Sequence, residues 1–219
     1  MNKVDKLNNK LVVDLQNRAE KMHENEPAFK RQMNFDMFVI LIFAAIIAIS
    51  LNTFVFRMIR VKGPSMLPNF ESNQRVFVDR ITYKIRKPER FEVIICYYTH
   101  NGALILGDDP VIKRVIALPG ETIEVKDGKV YINDIELDES MYWSGTIDSD
   151  MESYVVPSNC VFVIGDNRNN SQDSRDPSIQ AVHDEDIIGI VRARVWPLDM
   201  IHFYHYNQFK AHDNVSAKK

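Results

Sequence analysis

Residues 37–56 read Met-Phe-Val-Ile-Leu-Ile-Phe-Ala-Ala-Ile-Ile-Ala-Ile-Ser-Leu-Asn-Thr-Phe-Val-Phe, and no charge interrupts them. At 1.5 Å per residue, a helix of that length covers about 30 Å, the thickness of a bilayer's hydrocarbon core. A soluble helix so long ordinarily keeps a polar face, and this run has none. A cleavable signal fits poorly. A long segment precedes the run, the apolar stretch exceeds the roughly 7–15 residues of such signals, and no small-x-small site follows it. The run therefore predicts one transmembrane helix over 37–56, between an N-terminal segment 1–36 and a domain 57–219. Charge gives it no direction. Arg18, Lys21, Lys30 and Arg31 precede it within twenty residues, and Arg57, Arg60, Lys62 and Arg75 follow it as closely.

In the N-terminal segment, Leu7, Leu11 and Leu15 recur at a spacing of four, which predicts a short amphipathic helix ending before Pro27. After residue 56 the texture changes to short runs rich in β-branched and aromatic residues. They are Arg75–Asp79, Phe91–Tyr98, Val111–Ala117, Thr122–Val125, Lys129–Ile132, Cys160–Ile164 and Ile187–Val195. Turn signals divide them at Asn101-Gly102, Pro119-Gly120 and Asp127-Gly128, the last a strong hairpin signal. The fold class is mainly β, an antiparallel sheet domain anchored by one N-terminal transmembrane helix. Residues 138–153 read as an irregular insertion, and Val215–Lys219 as a frayed polar tail. A net charge of −3 and the lack of a basic, aromatic-studded stripe give no case for nucleic acid as a partner. Cys96 and Cys160 have no metal-ligand spacing. Each lies in an apolar run, as two buried thiols or as a disulfide. His202 and His205 lack a third ligand, so neither a metal nor another cofactor is expected.

Three segments carry chemistry. In Gly63-Pro64-Ser65-Met66-Leu67-Pro68, glycine and two prolines fix the backbone around one hydroxyl. A serine on a rigid turn can act as a nucleophile, with adjacent N–H groups stabilising an oxyanion. In Asp109-Pro110-Val111-Ile112-Lys113-Arg114-Val115, strand alternation puts Lys113 on one face with Val111 and Val115. Apolar surroundings disfavour the ammonium and lower its pKa, which makes the amine a proton acceptor. The third segment runs from Gly165 to Asp176, with two arginines and three aspartates. Such a mixture builds a charge-assisted network that holds a site rigid.

Ser-Met-x-Pro just after a membrane span, Lys-Arg-Val-x-x-x-Pro-Gly, and Gly-Asp-Asn-Arg-x-x-Ser-x-Asp-Ser-Arg occur in that order. Together they resemble the boxes of bacterial type I signal peptidases, from the anchor to about Pro197. The resemblance implies a serine endopeptidase with a Ser-Lys dyad and no cofactor. It would remove signal peptides from exported preproteins after small-x-small motifs. Ser65 resembles the nucleophile, Lys113 its general base, and Met66 the neighbour that lines the substrate site. Ser171 resembles the hydroxyl that orients the lysine, and Asp173 and Arg175 the ion pair behind it. Arg114, Asp166, Asn167 and Arg168 are implied as structural support. The resemblance also implies a cytoplasmic segment 1–36, an extracytoplasmic peptidase domain 57–219, and two partners, the preproteins and the lipid bilayer. A relative dedicated to pilus assembly is the alternative. A soluble self-cleaving repressor shares the dyad but has neither a span of this kind nor this chain's lack of a DNA-binding motif. The chain departs from the family at Pro68-Asn69-Phe70, at Pro119-Gly120-Glu121, and at Phe91-Glu92, where Gly-Asp is usual. Gly63 stands where some relatives have an oxyanion-donating serine, which leaves that task to backbone N–H groups, chiefly that of Ser65.

Overall fold

The structure is a computed structural model that describes residues 3–50, 56–100, 103–105, 107, 109–207 and 213–215. It divides into two compact units, 1–51 and 52–219.

The first unit is one helix, α1, Lys3–Ser50. It runs on through Pro27, where the sequence predicted a stop. A proline deletes one backbone hydrogen bond, and here the turns on either side outweigh it. Among the described residues no helix is long and apolar enough to cross a membrane. The predicted span is only partly described: helix covers it to Ser50, residues 51–55 lie outside the described set, and Phe56 already begins a strand. Within it Phe38, Ile40, Leu41, Phe43, Ile46 and Ile47 are all exposed, so apolar side chains face outward on every side of the helix.

The second unit is β. Its strands are β1 Phe56–Arg60, β2 Arg75–Asp79, β3 Val93–Cys96, β4 Thr99–His100, β5 Ala103–Leu104, β6 Val111–Ala117 and β7 Thr122–Lys126. They continue as β8 Lys129–Ile132, β9 Ile135–Glu136, β10 Met151–Val155, β11 Cys160–Ile164, β12 Val182–His183, β13 Ile187–Trp196 and β14 His202–Phe203. A short helix α2, Thr82–Ile85, follows β2. Every pairing is antiparallel. The main sheet has the order β1-β2-β13-β3-β6-β11-β12, with β14 on β13. A smaller sheet has the order β10-β7-β8-β9. The predicted hairpin is present: β7 and β8 pair through Asp127-Gly128, both in the left-handed region with φ of 52° and 77°, as a two-residue type I′ turn requires.

Burial follows position in the sheet. In the smaller sheet Ile123, Val125, Val130 and Ile132 alternate with half-buried or exposed neighbours, the sign of one covered face. In the main sheet β3 and β11 are buried along their whole length, so both faces are covered. Three expectations need correction. The insertion 138–153 is not wholly irregular, since β10 begins at Met151. Val215 is no frayed tail but is 1% exposed in the core, while 216–219 lie outside the described residues. The strand expected over Phe91–Tyr98 shrinks to β3, because Phe91 takes a left-handed conformation with φ of 71° that no strand continues through. The expected Asn101-Gly102 turn lies outside the described residues. Cys96 and Cys160 are both buried free thiols.

Candidate active site

Lys113 sits on β6, directly across from Ile94 of β3. Alternation predicted an apolar face shared with Val111 and Val115, but β6 is buried from Ile112 to Ala117 on both faces. Lys113 is thus enclosed from both sides and is only 3% exposed. Desolvation is the largest influence on its amine and lowers its pKa; the Arg175 guanidinium pushes the same way, while Asp173 and Asp166 oppose them. Its Nζ donates to Ser171 Oγ at 3.0 Å.

The loop that carries Ser171 starts where β11 ends. Ile164 pairs with Arg114, so the next step of the antiparallel register brings Gly165 level with Lys113. Gly165 is tightly enclosed. A Cβ there would overlap Ser171 Oγ and stand 2.5 Å from the Ser65 carbonyl oxygen. Absence of a side chain at 165 lets the Ser65 turn and the Ser171 hydroxyl close on one point.

Ser65 is half-buried, on the turn between β1 and β2. Asn167 holds that turn by its carbonyls: its N–H donates to Ser65 O at 2.9 Å and its Nδ2 to Pro64 O at 3.2 Å. The Ser65 N–H makes no hydrogen bond among the described residues. Met66 is fully buried in the hydrophobic core. Asn69, at one of the departures from the family pattern, donates through Nδ2 to Asp166 Oδ2 and to Tyr142 O, both at 2.8 Å.

Behind the loop, carboxylates and guanidiniums are buried in matched pairs. Asp173 is 1% exposed; it accepts from Gly165 N at 3.0 Å and from Arg175 Nε and Nη2 at 2.8 and 2.9 Å. Arg175 Nη2 also donates to Arg168 O at 2.7 Å. Arg114 forks onto Asp166 at 2.7 and 2.6 Å. Arg168 forks onto Glu139 at 2.8 and 2.5 Å. Two-pronged pairs of this kind fix orientation as well as charge. Tyr142 lies under Arg114, whose guanidinium carbon is 4.1 Å from the ring centroid, and Trp143 lies 4.7 Å from that of Arg168. Sequence reasoning passed over Glu139, Tyr142 and Trp143 because they lie in the insertion and meet the loop only through folding.

The arrangement offers a hydroxyl on a clamped turn, an N–H free to meet an oxyanion, and an amine whose charged form is disfavoured. Such groups suit nucleophilic acyl transfer. A polar cavity of about 500 Å³, lined by Ser171, Gln172, Asn169, Asp148 and Asp176 among others, lies along the loop that carries Ser171.

Several known proteins are similar to this chain. The family described as "Signal peptidase, peptidase S26" matches residues 34–196. A probable signal peptidase I-2 of Synechocystis sp. is 35% identical over 158 residues, 72% of this chain and 71% of that protein. A signal peptidase I of Leptolyngbya laminosa is 36% identical, covering 72% of this chain and 77% of that protein. A solved signal peptidase I from Enterococcus faecalis V583, 34% identical, aligns with 48% of this chain and 97% of that one at a TM-score of 0.38.

Proposed function

The chain belongs to the signal peptidase family, peptidase S26, and on that premise we propose that it is a membrane-anchored signal peptidase I acting through Ser65 and Lys113. The single observation that carries the dyad is the burial of Lys113, with its Nζ on Ser171 Oγ at 3.0 Å, beside the glycine against which the Ser65 carbonyl packs. Neutral Lys113 takes the proton of Ser65 Oγ as that oxygen attacks the carbonyl at the end of the signal peptide. The Ser65 N–H meets the developing oxyanion. Protonated Lys113 then gives its proton to the leaving amine, and water, deprotonated by the same lysine, hydrolyses the acyl-enzyme. Ser171 holds the lysine's rotamer, and Asp173 with Arg175 holds the loop that carries Ser171. Met66 packs the turn from the core side, backing the wall against which the substrate's small side chains seat.

Residues 37–56 serve as the anchor, a reading supported by the outward apolar side chains of α1, with segment 1–36 on the cytoplasmic side and the peptidase domain outside. The substrates are exported preproteins with small residues one and three positions before the cut, since shallow pockets exclude larger ones. The test is cleavage of a small-x-small preprotein in detergent or lipid. Wild type makes one cut after the small residue, and Ser65→Ala and Lys113→Met make none. Wild-type rates in either variant would overturn the dyad.

A further inference from the structure

The turn that carries Ser65 is held near each end by an asparagine. At its start Asn167 donates to Ser65 O at 2.9 Å and to Pro64 O at 3.2 Å. At its end the half-buried Asn69 reaches the other way: its Nδ2 donates to Asp166 Oδ2 and to Tyr142 O, both at 2.8 Å. Asp166 and Asn167 are neighbours in the loop after β11, so turn and loop exchange contacts in both directions. The stretch between the asparagine contacts is short and stiff. Leu67 N donates to Pro64 O at 3.1 Å and Phe70 N to Met66 O at 2.9 Å, and the side chains of Met66 and Phe70 are fully buried. A hold on Asn69 is therefore also a hold on Ser65, one turn earlier in the chain.

The far side of the Asn69 contact leads to the lysine. Asp166 is fully buried and takes both prongs of Arg114, at 2.7 and 2.6 Å. Arg114 follows Lys113 on β6. The chemistry of an amide suits this point. The Arg114 fork already balances the Asp166 charge, so a further donor has to be neutral if no unpaired charge is to be buried. An amide nitrogen also carries two N–H groups, and its two acceptors lie on separate segments, the loop and the insertion. The Asn69 carbonyl adds a tie to β13, accepting from Arg194 Nη1 at 3.3 Å. A turn fixed at one end can pivot, and a turn fixed at both cannot. We propose that Asn69 is a positioning residue for the reaction: it couples the Ser65 turn to the Arg114–Asp166 pair beside Lys113, and so sets the approach of the hydroxyl to the amine. This role presupposes the reading of Ser65 and Lys113 as the dyad. Reacting groups depend on such supports, since a displacement of about an ångström costs about a hundredfold in rate.

The test compares the full chain with Asn69→Leu and Asn69→Asp, which keep the shape of the side chain and lose its donors. Cleavage of a small-x-small preprotein is followed in detergent. Rates are taken per folded chain, from circular dichroism at the assay temperature, so that lost stability is not counted as lost chemistry. Asn69→Leu should lower kcat by about tenfold to a hundredfold and leave KM within about twofold of wild type, because the side chain acts on Ser65 and not on the substrate. Asn69→Asp should lose more, since it sets a second carboxylate against Asp166. Hydrogen exchange gives a readout that needs no turnover: in Asn69→Leu the amides of 66–70 should exchange about tenfold faster or more, with those of β6 unchanged. A kcat within about twofold of wild type in Asn69→Leu would overturn the proposal. So would a loss carried by KM, or unchanged exchange over 66–70. Ser65→Ala and Lys113→Met, assayed on the same preprotein, separate the two readings. Wild-type cleavage in either removes the dyad and this role with it. Inactivity in both beside a fully active Asn69→Leu removes the positioning role alone.

Discussion

Lys113 sits among side chains that give its charged form little, and the cost of that burial has a measurable sign. Its folded pKa is lowered, so between the lowered value and the ordinary lysine value the unfolded chain binds the extra proton. Stability therefore rises with pH through that window. Lys113→Met removes the buried amine, so the stability difference between wild type and variant should move in favour of wild type as pH climbs toward the lysine range. Denaturant titrations at several pH values check this, and a pH-independent difference would mean the amine is not strained. The same lowering predicts that kcat/KM for preprotein rises with pH along a limb below the usual lysine titration. At Gly165 the constraint is steric. Gly165→Ala sets a Cβ against Ser171 Oγ and 2.5 Å from Ser65 O, so one of them must move. Overpacking of this kind costs about 1–3 kcal/mol, and misplacement by an ångström costs about a hundredfold in rate. The variant should melt earlier and lose kcat, with KM little changed. These residues were legible in the sequence because each box is a local string. Glu139 and Tyr142 were not, since nothing near them in the chain announces that Arg168 and Arg114 will be their partners.

Strands differ in how openly they announce themselves. β2, β6, β8 and β11 have the bounds read from their β-branched runs, because these residues suit a pleated surface on their own account. β12 and β14 are two-residue pairings that exist only because a neighbouring strand offers them hydrogen bonds, and no local pattern marks them. Two of the departures from the family pattern turn out to be linked to buried ion pairs. Glu121, in place of the family's aspartate, receives both prongs of Arg90 at 2.8 and 2.9 Å, with partners 1% and 3% exposed, and Arg90 Nε also reaches Asp213 at 3.0 Å. Glu92, fully buried, takes Arg86 at 3.0 and 2.5 Å. Glu121→Leu leaves the buried Arg90 with one carboxylate instead of two. Breaking a buried pair in this way costs roughly 3–5 kcal/mol, which should appear as a lower denaturation midpoint at unchanged m-value. A variant as stable as wild type would show that Asp213 alone suffices.

On the proposed function, the helix and the β unit divide the work across the whole molecule. A domain of residues 57–219 alone should still cut a soluble peptide, since every group of the site lies within it. Against a preprotein in vesicles it should lose about a hundredfold or more relative to the full chain, because the anchor supplies local concentration rather than chemistry. Comparing the two substrates with both proteins measures this, and an equal loss on both would place part of the site in α1. The order of the main sheet carries one more consequence. β13 lies between β2 and β3, and Asp213 closes the shell around Arg90, yet both come late in the chain. During synthesis the early strands have nothing to join them until residues 187–196 arrive, and the buried arginine waits longer still. Long-range closure of this kind is slow. The main sheet can therefore close only once residues 187–196 have reached strands laid down long before them in the chain.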